Sequence, residues 1–251
     1  MSATVDDVNN QVRGPDGVLL YAIGDVHGRA DLLDALLRKI EADVAEAEPR
    51  GRPILLFLGD YVDRGPDSKG VISRILELSD DPRFRVCALR GNHDQYVLDF
   101  FETPEIAATW LDYGGGATLL SYGVTPAPTR TNVAAWKPVA DALMLAMPRE
   151  HLAFLNKTVL SAKFGDYVFV HAGVRPNVEL EDQEATDLLS IRKAFLKSRD
   201  PLPRRVVVYG HSPVDRPYIR DGKMGLDTGA YATGVLTAAR IYENSVRFLR
   251  T

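Results

Sequence analysis

Continuous apolar runs along the chain alternate with stretches whose apolar residues recur every three or four positions. Val18–Ile23 is unbroken and bounded by Gly17 and Gly24, which predicts a buried strand. Leu32, Leu33, Leu36, Leu37, Ile40 and Val44 then fall on one face of a helix, and Pro49 follows it. Ile54–Leu58 reads as a second strand. Asp67 supplies an N-cap for a helix carrying Val71, Ile72, Ile75 and Leu76 on one side. Phe84–Leu89 reads as a third strand. This β-α-β-α-β order leaves room for crossovers, so the three strands are expected to pair in parallel within an α/β sheet.

The pattern changes between Gln95 and Lys157. No strand is apparent there, and helical stretches are interrupted by Pro104, Gly114–Gly116, Pro126, Pro128, Pro138 and Pro148. This region reads as a helical insertion, residues 95–157, within one domain spanning 1–251. Strands resume at Val159–Ala162 and Tyr167–Val170 around a Gly165-Asp166 turn. A helix is expected over Thr186–Lys197, then a strand at Val206–Tyr209. The tail from Tyr218 to Leu249 alternates apolar segments with turns at Asp221-Gly222 and Gly229, as β-hairpins do.

Composition narrows the class. Net charge is −4 over 251 residues, which gives no reason to expect nucleic-acid or anionic-membrane binding. The single cysteine, Cys87, cannot form an internal disulfide and reads as a small buried hydrophobe. Met1–Gly17 is polar, with Asp6 and Asp7, and lacks the apolar stretch of a signal peptide. No apolar run approaches the roughly 20 residues of a membrane span. The chain therefore reads as cytoplasmic, and Asn156-Lys157-Thr158 is a glycosylation match without meaning.

The chemistry sits where strands end. The first run leads into Gly24-Asp25-Val26-His27-Gly28 and the second into Gly59-Asp60-Tyr61-Val62-Asp63-Arg64-Gly65. The third leads into Gly91-Asn92-His93-Asp94, and later strands into His171-Ala172-Gly173 and Gly210-His211-Ser212. Carboxyl ends of parallel strands share one rim, where α/β sites are built. Four of the five histidines occupy such positions beside candidate carboxylates. Asp, His and Asn donors without cysteine suit Mn²⁺, Fe or Zn²⁺, and a shared carboxylate can bridge two ions. Paired metals clamp the oxygens of an in-line phosphoryl displacement, so the conjunction points to metal-assisted phosphoester hydrolysis.

These five motifs, in this order, resemble those of the PPP-type calcineurin-like metallophosphoesterases. That grouping includes the serine/threonine protein phosphatases and the bacterial symmetrical diadenosine tetraphosphate hydrolases. The resemblance runs from about Leu19 to Ile241, with Gln95–Lys157 loosely covered. It implies a β-sandwich flanked by helices, a mixed α+β variant of the α/β class, and two divalent ions, Mn²⁺ foremost. By the resemblance, Asp25, His27 and Asp60 hold one ion, and Asp60, Asn92, His171 and His211 the other. A bridging water is the implied nucleophile, His93 the general acid and Asp63 the group that orients its ring. Arg64, Arg192 and Asn92 are the implied substrate-binding residues, the two arginines on the phosphate; Arg192 follows from Leu188-Leu189-Ser190-Ile191-Arg192, where the family often has Trp at the position of Ser190.

Two departures bear on substrate. Asp94 matches the dinucleotide hydrolases, whereas Asp63 keeps the phosphatase pattern and supports the acid directly. The implied activity is therefore hydrolysis of phosphoserine or phosphothreonine in proteins. The alternatives are symmetrical cleavage of diadenosine tetraphosphate to two ADP, and a noncatalytic phosphate-binding scaffold. Expected partners are a phosphoprotein, a small phosphoester or a nucleotide. Asp94 is expected to make a supporting hydrogen bond, and Asp227-Thr228-Gly229 resembles a bacterial segment near the site. His151 reads as a helix surface residue, Trp110 and Trp136 as packing residues of the insertion with substrate selection as the alternative, and Gly114–Gly116 as a flexible bend. Glu179–Asp187 reads as a solvated acidic face, and Arg64 has an alternative as an ion-pair partner of Asp63.

Overall fold

The computed structural model describes residues 12–129 and 132–251; the acidic start with Asp6 and Asp7, and the expected lack of a targeting signal there, lie outside the described residues. The chain opens with β1 (Leu20–Ile23), α1 (Ala30–Ala47), β2 (Ile54–Phe57), α2 (Ser68–Asp80) and β3 (Arg85–Ala88). Next come α3 (Asn92–Glu102), α4 (Ala107–Asp112), α5 (Gly115–Ser121), α6 (Trp136–Ala146) and α7 (Arg149–Lys157). The second half holds β4 (Ser161–Phe164), β5 (Tyr167–Val170), α8 (Ala185–Ser190), α9 (Lys193–Lys197) and β6 (Val206–Tyr209). It closes with β7 (Tyr218–Arg220), β8 (Lys223–Gly225), the one-turn α10 (Ala230–Thr233), β9 (Thr237–Tyr242) and β10 (Ser245–Arg250).

Two five-stranded sheets result, ordered β10-β9-β1-β2-β3 and β4-β5-β6-β8-β7. β1, β2 and β3 pair in parallel as their spacing predicts, and so do β5, β6 and β8. Strand pleating sends Leu20 and Ala22 toward the second sheet, where they join Leu56, Phe169, Val208 and Met224 in a shared core. The intervening Tyr21 and Ile23 pack outward with Leu33, Leu36 and Ile40 of α1 and Val71 and Ile75 of α2. On the far side, Val168, Val170 and Val207 pack with Leu188 and Phe195 of α8 and α9. Both faces of each central strand are thus buried, which is why these strands are continuously apolar rather than alternating. The molecule is a β-sandwich flanked by helices.

Asp67 caps α2, its carboxylate accepting from Gly70 N at 2.7 Å. Several local expectations need correction. The helix expected over Thr186–Lys197 is broken at Ile191-Arg192, where Arg192 adopts φ −130°, ψ −86°. The strand expected at Val159–Ala162 begins two residues later, and Val159 makes only an isolated bridge with Leu89. Gly229 turns into α10 rather than into a hairpin, and the last hairpin turns after Tyr242. His151 is buried, 3% exposed, because Tyr122 Oη and Ser73 Oγ bond its two ring nitrogens at 2.9 and 3.2 Å. Gly114–Gly116 is ordered: Gly114, at φ 102°, starts α5 and its carbonyl accepts from Arg64 N. Cys87 is half-buried against the inter-sheet core. Glu179, Glu181, Asp182 and Glu184 are exposed, as expected. Among the described residues no helix is long and apolar enough to cross a membrane.

Candidate metal centre

The ends of β1, β2, β5 and β6 and the start of α3 converge at one edge of the sandwich, and Asp60 lies at the middle of that convergence. Its Oδ2 is 3.4 Å from His27 Nε2 and 3.9 Å from His93 Nε2. Its Oδ1 is 3.4 Å from His171 Nε2 and accepts from His93 N at 3.0 Å. Two clusters share this carboxylate, His27–Asp60–His93 and Asp60–His171–His211, each with donor atoms within 4.8 Å of one another. Asn92 links to the second cluster, its Oδ1 lying 3.0 Å from His171 Nε2 and 2.8 Å from His211 Nδ1.

Backbone bonds fix the imidazoles so that lone pairs face the carboxylate. His27 Nδ1 donates to Val62 O and His171 Nδ1 to Leu58 O, each at 2.8 Å, which leaves Nε2 as an acceptor directed at Asp60. Burial pushes His27 down to about 3, against the opposing pull of Asp60. Burial likewise lowers His211 to about 3, aided by His171, and lowers His171. Neutral imidazoles are the ligand-competent form. Burial also works against the charge on Asp60, but the four surrounding imidazoles hold it below the usual carboxylate range.

Asp25 supplies the test of whether a cation fits. One oxygen, Oδ2, accepts from His211 N at 2.8 Å; the other, Oδ1, is buried without a hydrogen-bond partner. Burial, with Asp227 and Asp60 close by, raises Asp25 well above its ordinary value. Burial also raises Asp227, to about 6. Lone pairs facing lone pairs and an orphaned carboxylate oxygen are costly unless a cation lies among them. The residues present therefore fit divalent metal. Space is tight: a Cβ on Gly210 would collide with Asp25 Oδ1, and one on Gly91 with Asp60 Oδ1. The backbone is strained as well, with His27, Asp60, Asp63, Arg64 and His211 all at φ between 45° and 69°.

His93 lies against this centre but faces a second set of partners. Its Nδ1 is 2.7 Å from Asp63 Oδ2, and Arg64 Nη2 is 3.2 Å from its Nε2. Burial opposes a charge on His93, yet Asp60 and Asp63 outweigh it and raise the ring's proton affinity. Asp63 is fully buried and held by Trp110 Nε1 at 2.9 Å and Thr118 Oγ1 at 2.6 Å. Asp94 accepts from the backbone N–H groups of Asp60, Tyr61 and Gly91 at 2.8–3.0 Å, which supports the loop carrying Asp60.

A cleft of about 440 Å³ opens over His93, lined by Arg64, Asn92, Tyr96, Tyr113, Arg192 and His211 among others. Arg192, at the break between α8 and α9, donates from Nε to His211 Nε2 at 3.0 Å. Arg64 is not an ion-pair partner of Asp63; its guanidinium lies over the Tyr231 ring, 4.6 Å from the centroid. The structure therefore gathers Asp25, His27, Asp60, Asp63, Arg64, Asn92, His93, Arg192, His171 and His211 around one centre. Sequence reasoning missed the supporting parts: Thr118 and Tyr231 carried no local motif, and Trp110 read as a packing residue, with substrate selection as its alternative, and not as a partner of Asp63.

A family model described as calcineurin-like phosphoesterase matches residues 19–233. The symmetrical bis(5'-nucleosyl)-tetraphosphatase of Acidovorax sp. (strain JS42) is 31% identical over 199 residues, 77% of this chain but 57% of that protein's length. Serine/threonine-protein phosphatase 1 of Salmonella typhimurium is 26% identical over 240 residues, 94% of this chain and 98% of that protein. A solved structure with a provisional diadenosine tetraphosphatase assignment superposes with a TM-score of 0.62 at 18% identity, over 94% of this chain and 98% of the other, a likeness of fold.

Proposed function

The chain belongs to the calcineurin-like phosphoesterase family and is a metallophosphoesterase, and we propose that it hydrolyses phosphoserine and phosphothreonine in proteins. The observation that carries this reading is the buried Asp63 carboxylate 2.7 Å from His93 Nδ1. An alkoxide leaving group needs a proton as the phosphorus–oxygen bond breaks, and this pair is built to deliver one.

In this proposal Asp25, His27 and Asp60 hold one divalent ion, and Asp60, Asn92, His171 and His211 hold a second. Manganese is preferred, and iron and zinc also suit the oxygen- and imidazole-rich donor set. When bound, the ions supply Lewis acidity to the phosphoryl oxygens and an activated water as nucleophile. Arg64 and Arg192 face the cleft with guanidinium groups that match phosphate oxygens bidentately. Asp63 fixes the proton-bearing Nδ1 of His93 and stabilises the imidazolium, so Nε2 is the atom that delivers a proton to the leaving oxygen. Arg64 Nη2, now 3.2 Å from Nε2, vacates that lone pair when it turns to the phosphate. Trp110 and Thr118 keep Asp63 in register through the donors already described.

The Salmonella relative supports this reading because the match spans nearly all of both chains. A second reading, symmetrical hydrolysis of dinucleoside tetraphosphates, is favoured by the Acidovorax relative at higher identity. The deciding experiment supplies Mn²⁺ to metal-stripped protein and compares a phosphoserine peptide with diadenosine tetraphosphate. Phosphate release from the peptide, lost in Asp60→Asn together with bound metal by elemental analysis, supports the proposal. Chromatographic ADP with an inert peptide moves the assignment to the second reading, and undiminished turnover without metal defeats both.

A further inference from the structure

Lys223, on β8, has no part in the chemistry described so far, yet its side chain is buried, 3% exposed. Its ammonium donates to three main-chain carbonyls, Phe195 O at 3.3 Å, Leu196 O at 2.9 Å and Ser198 O. Three N–H groups thus meet three acceptors, all in the last turn of α9 or just past it. These are carbonyls that a helix end leaves without intrahelical partners, and a cation there is favourable. Burial lowers the Lys223 pKa below the ordinary lysine value, against the pull of Asp221, and the carbonyls offset that cost.

The helix so held has only five residues, far fewer than a helix needs to stand by itself. Its anchors are therefore tertiary. Beside Lys223 there is Phe195, wholly buried, whose ring meets Tyr209 edge-on at 5.0 Å. The same ring fills the space that a Cβ on Gly173 would need, two residues after His171. At the other end of α9, Leu196 N donates to Arg192 O at 2.8 Å, and Arg192 sends its guanidinium to His211. The break at Ile191-Arg192 interrupts helical continuity with α8, so α9 is the rigid support on which Arg192 sits.

We propose that Lys223 is a positioning residue for phosphate binding: by clamping the C-terminal carbonyls of α9 it holds Arg192, at the other end of that helix, over the cleft. The inference rests on the preceding reading of Arg192 as a phosphate ligand. Clamp and arginine are separated by about 1.5 Å of helix rise per residue over roughly five residues, so a displacement at one end is carried to the other. An apolar side chain could fill the same volume, but it could not fix three carbonyls.

The test is steady-state kinetics of the Mn²⁺-loaded full chain on p-nitrophenyl phosphate, whose leaving group needs no proton, with inorganic phosphate as competing ligand. Lys223→Met should raise KM and the inhibition constant of phosphate together, by about 2- to 30-fold, with kcat and bound manganese unchanged. In an Arg192→Ala background the same substitution should raise neither further. Lys223→Gln, whose amide can donate to part of the carbonyl set, should fall between wild type and Lys223→Met, and a thermal melt establishes which variants are folded at the assay temperature. Unchanged constants in a folded Lys223→Met, or an equal rise with Arg192 already removed, overturn the clamp while leaving Arg192 as a phosphate ligand. Loss of the fold in both variants overturns it as well, making Lys223 a residue of the core alone. If Arg192→Ala by itself moves neither constant, the reading of Arg192 fails and the clamp falls with it.

Discussion

Replacing Asp63 by asparagine takes one negative charge from beside His93 while leaving every neighbouring donor a partner. The Oδ2 position faces two donors, His93 Nδ1 at 2.7 Å and Trp110 Nε1 at 2.9 Å, so the amide oxygen must settle there. The amide nitrogen then faces Thr118 Oγ1, a hydroxyl that can accept as well as donate. The fold should therefore tolerate Asp63→Asn, and the loss falls on the charge-assisted component of the His93 bond. A charged hydrogen bond contributes about 1.5–3 kcal/mol against about 0.5–1.5 for a neutral one, a difference of roughly 1–2 kcal/mol. Expressed on the barrier, that is about a 5- to 30-fold fall in kcat for an alkyl phosphate at neutral pH. The sign of the pH effect is fixed: the donor works only when protonated, so activity persists below its pKa and is lost above it. Asp63 helps raise that value, so its removal should move the alkaline limb of kcat to lower pH. The assay is a pair of pH profiles, on an alkyl phosphate and on p-nitrophenyl phosphate, whose nitrophenolate leaves without a proton. Equal losses on both substrates, or an unmoved limb, would refute the assignment of His93 as proton donor.

Three further outcomes are expected from the same packing. Asp94→Asn sets an amide NH₂ against a backbone N–H; losing that buried bond should cost about 1–3 kcal/mol, read as a melting temperature several degrees lower. Tyr231→Ala removes the ring beneath Arg64 and should raise KM about 2- to 10-fold, whereas Tyr231→Phe should match wild type; equal effects would show that the ring does not position the guanidinium. Burial keeps His151 below its ordinary value despite Glu150, so the unfolded chain binds its proton first, and stability present above about pH 6.5 declines as pH falls. His151→Gln should flatten that part of a melting-temperature-against-pH curve relative to wild type, and an unchanged slope would exclude His151 as a contributor.

What the sequence reveals and conceals here divides along physical lines. The parallel β1-β2-β3 unit was legible because period and crossover length are local signals, as was the N-cap at Asp67. The donors were legible because glycine-flanked Asp and His recur where apolar runs stop. Sheet order was not, since β1 lies between β2 and β9, and a partner some 200 residues away leaves no local trace. The break at Ile191-Arg192 was hidden because the apolar spacing on either side is compatible with one continuous helix. His151 was misread because its helix looks amphipathic with the histidine outward, and only tertiary packing brings Tyr122 and Ser73 over it. The contacts of Trp110, Thr118 and Tyr231 with Asp63 or Arg64 were hidden for the same reason: each comes from an element distant in the chain.

The left-handed backbone at His27, Asp60, Asp63, Arg64 and His211 has an engineering consequence. Each such residue costs on the order of 1 kcal/mol relative to glycine, so relaxing these corners should make the protein harder to melt. On the proposed reading, the same substitutions delete side chains that hold metal, meet the phosphate or support the proton donor. Libraries of this enzyme sorted for heat tolerance alone will therefore accumulate well-folded, inert variants at these five positions. A selection for ruggedness has to be run alongside one for turnover, with the corner residues held fixed and stability sought in the distant helices.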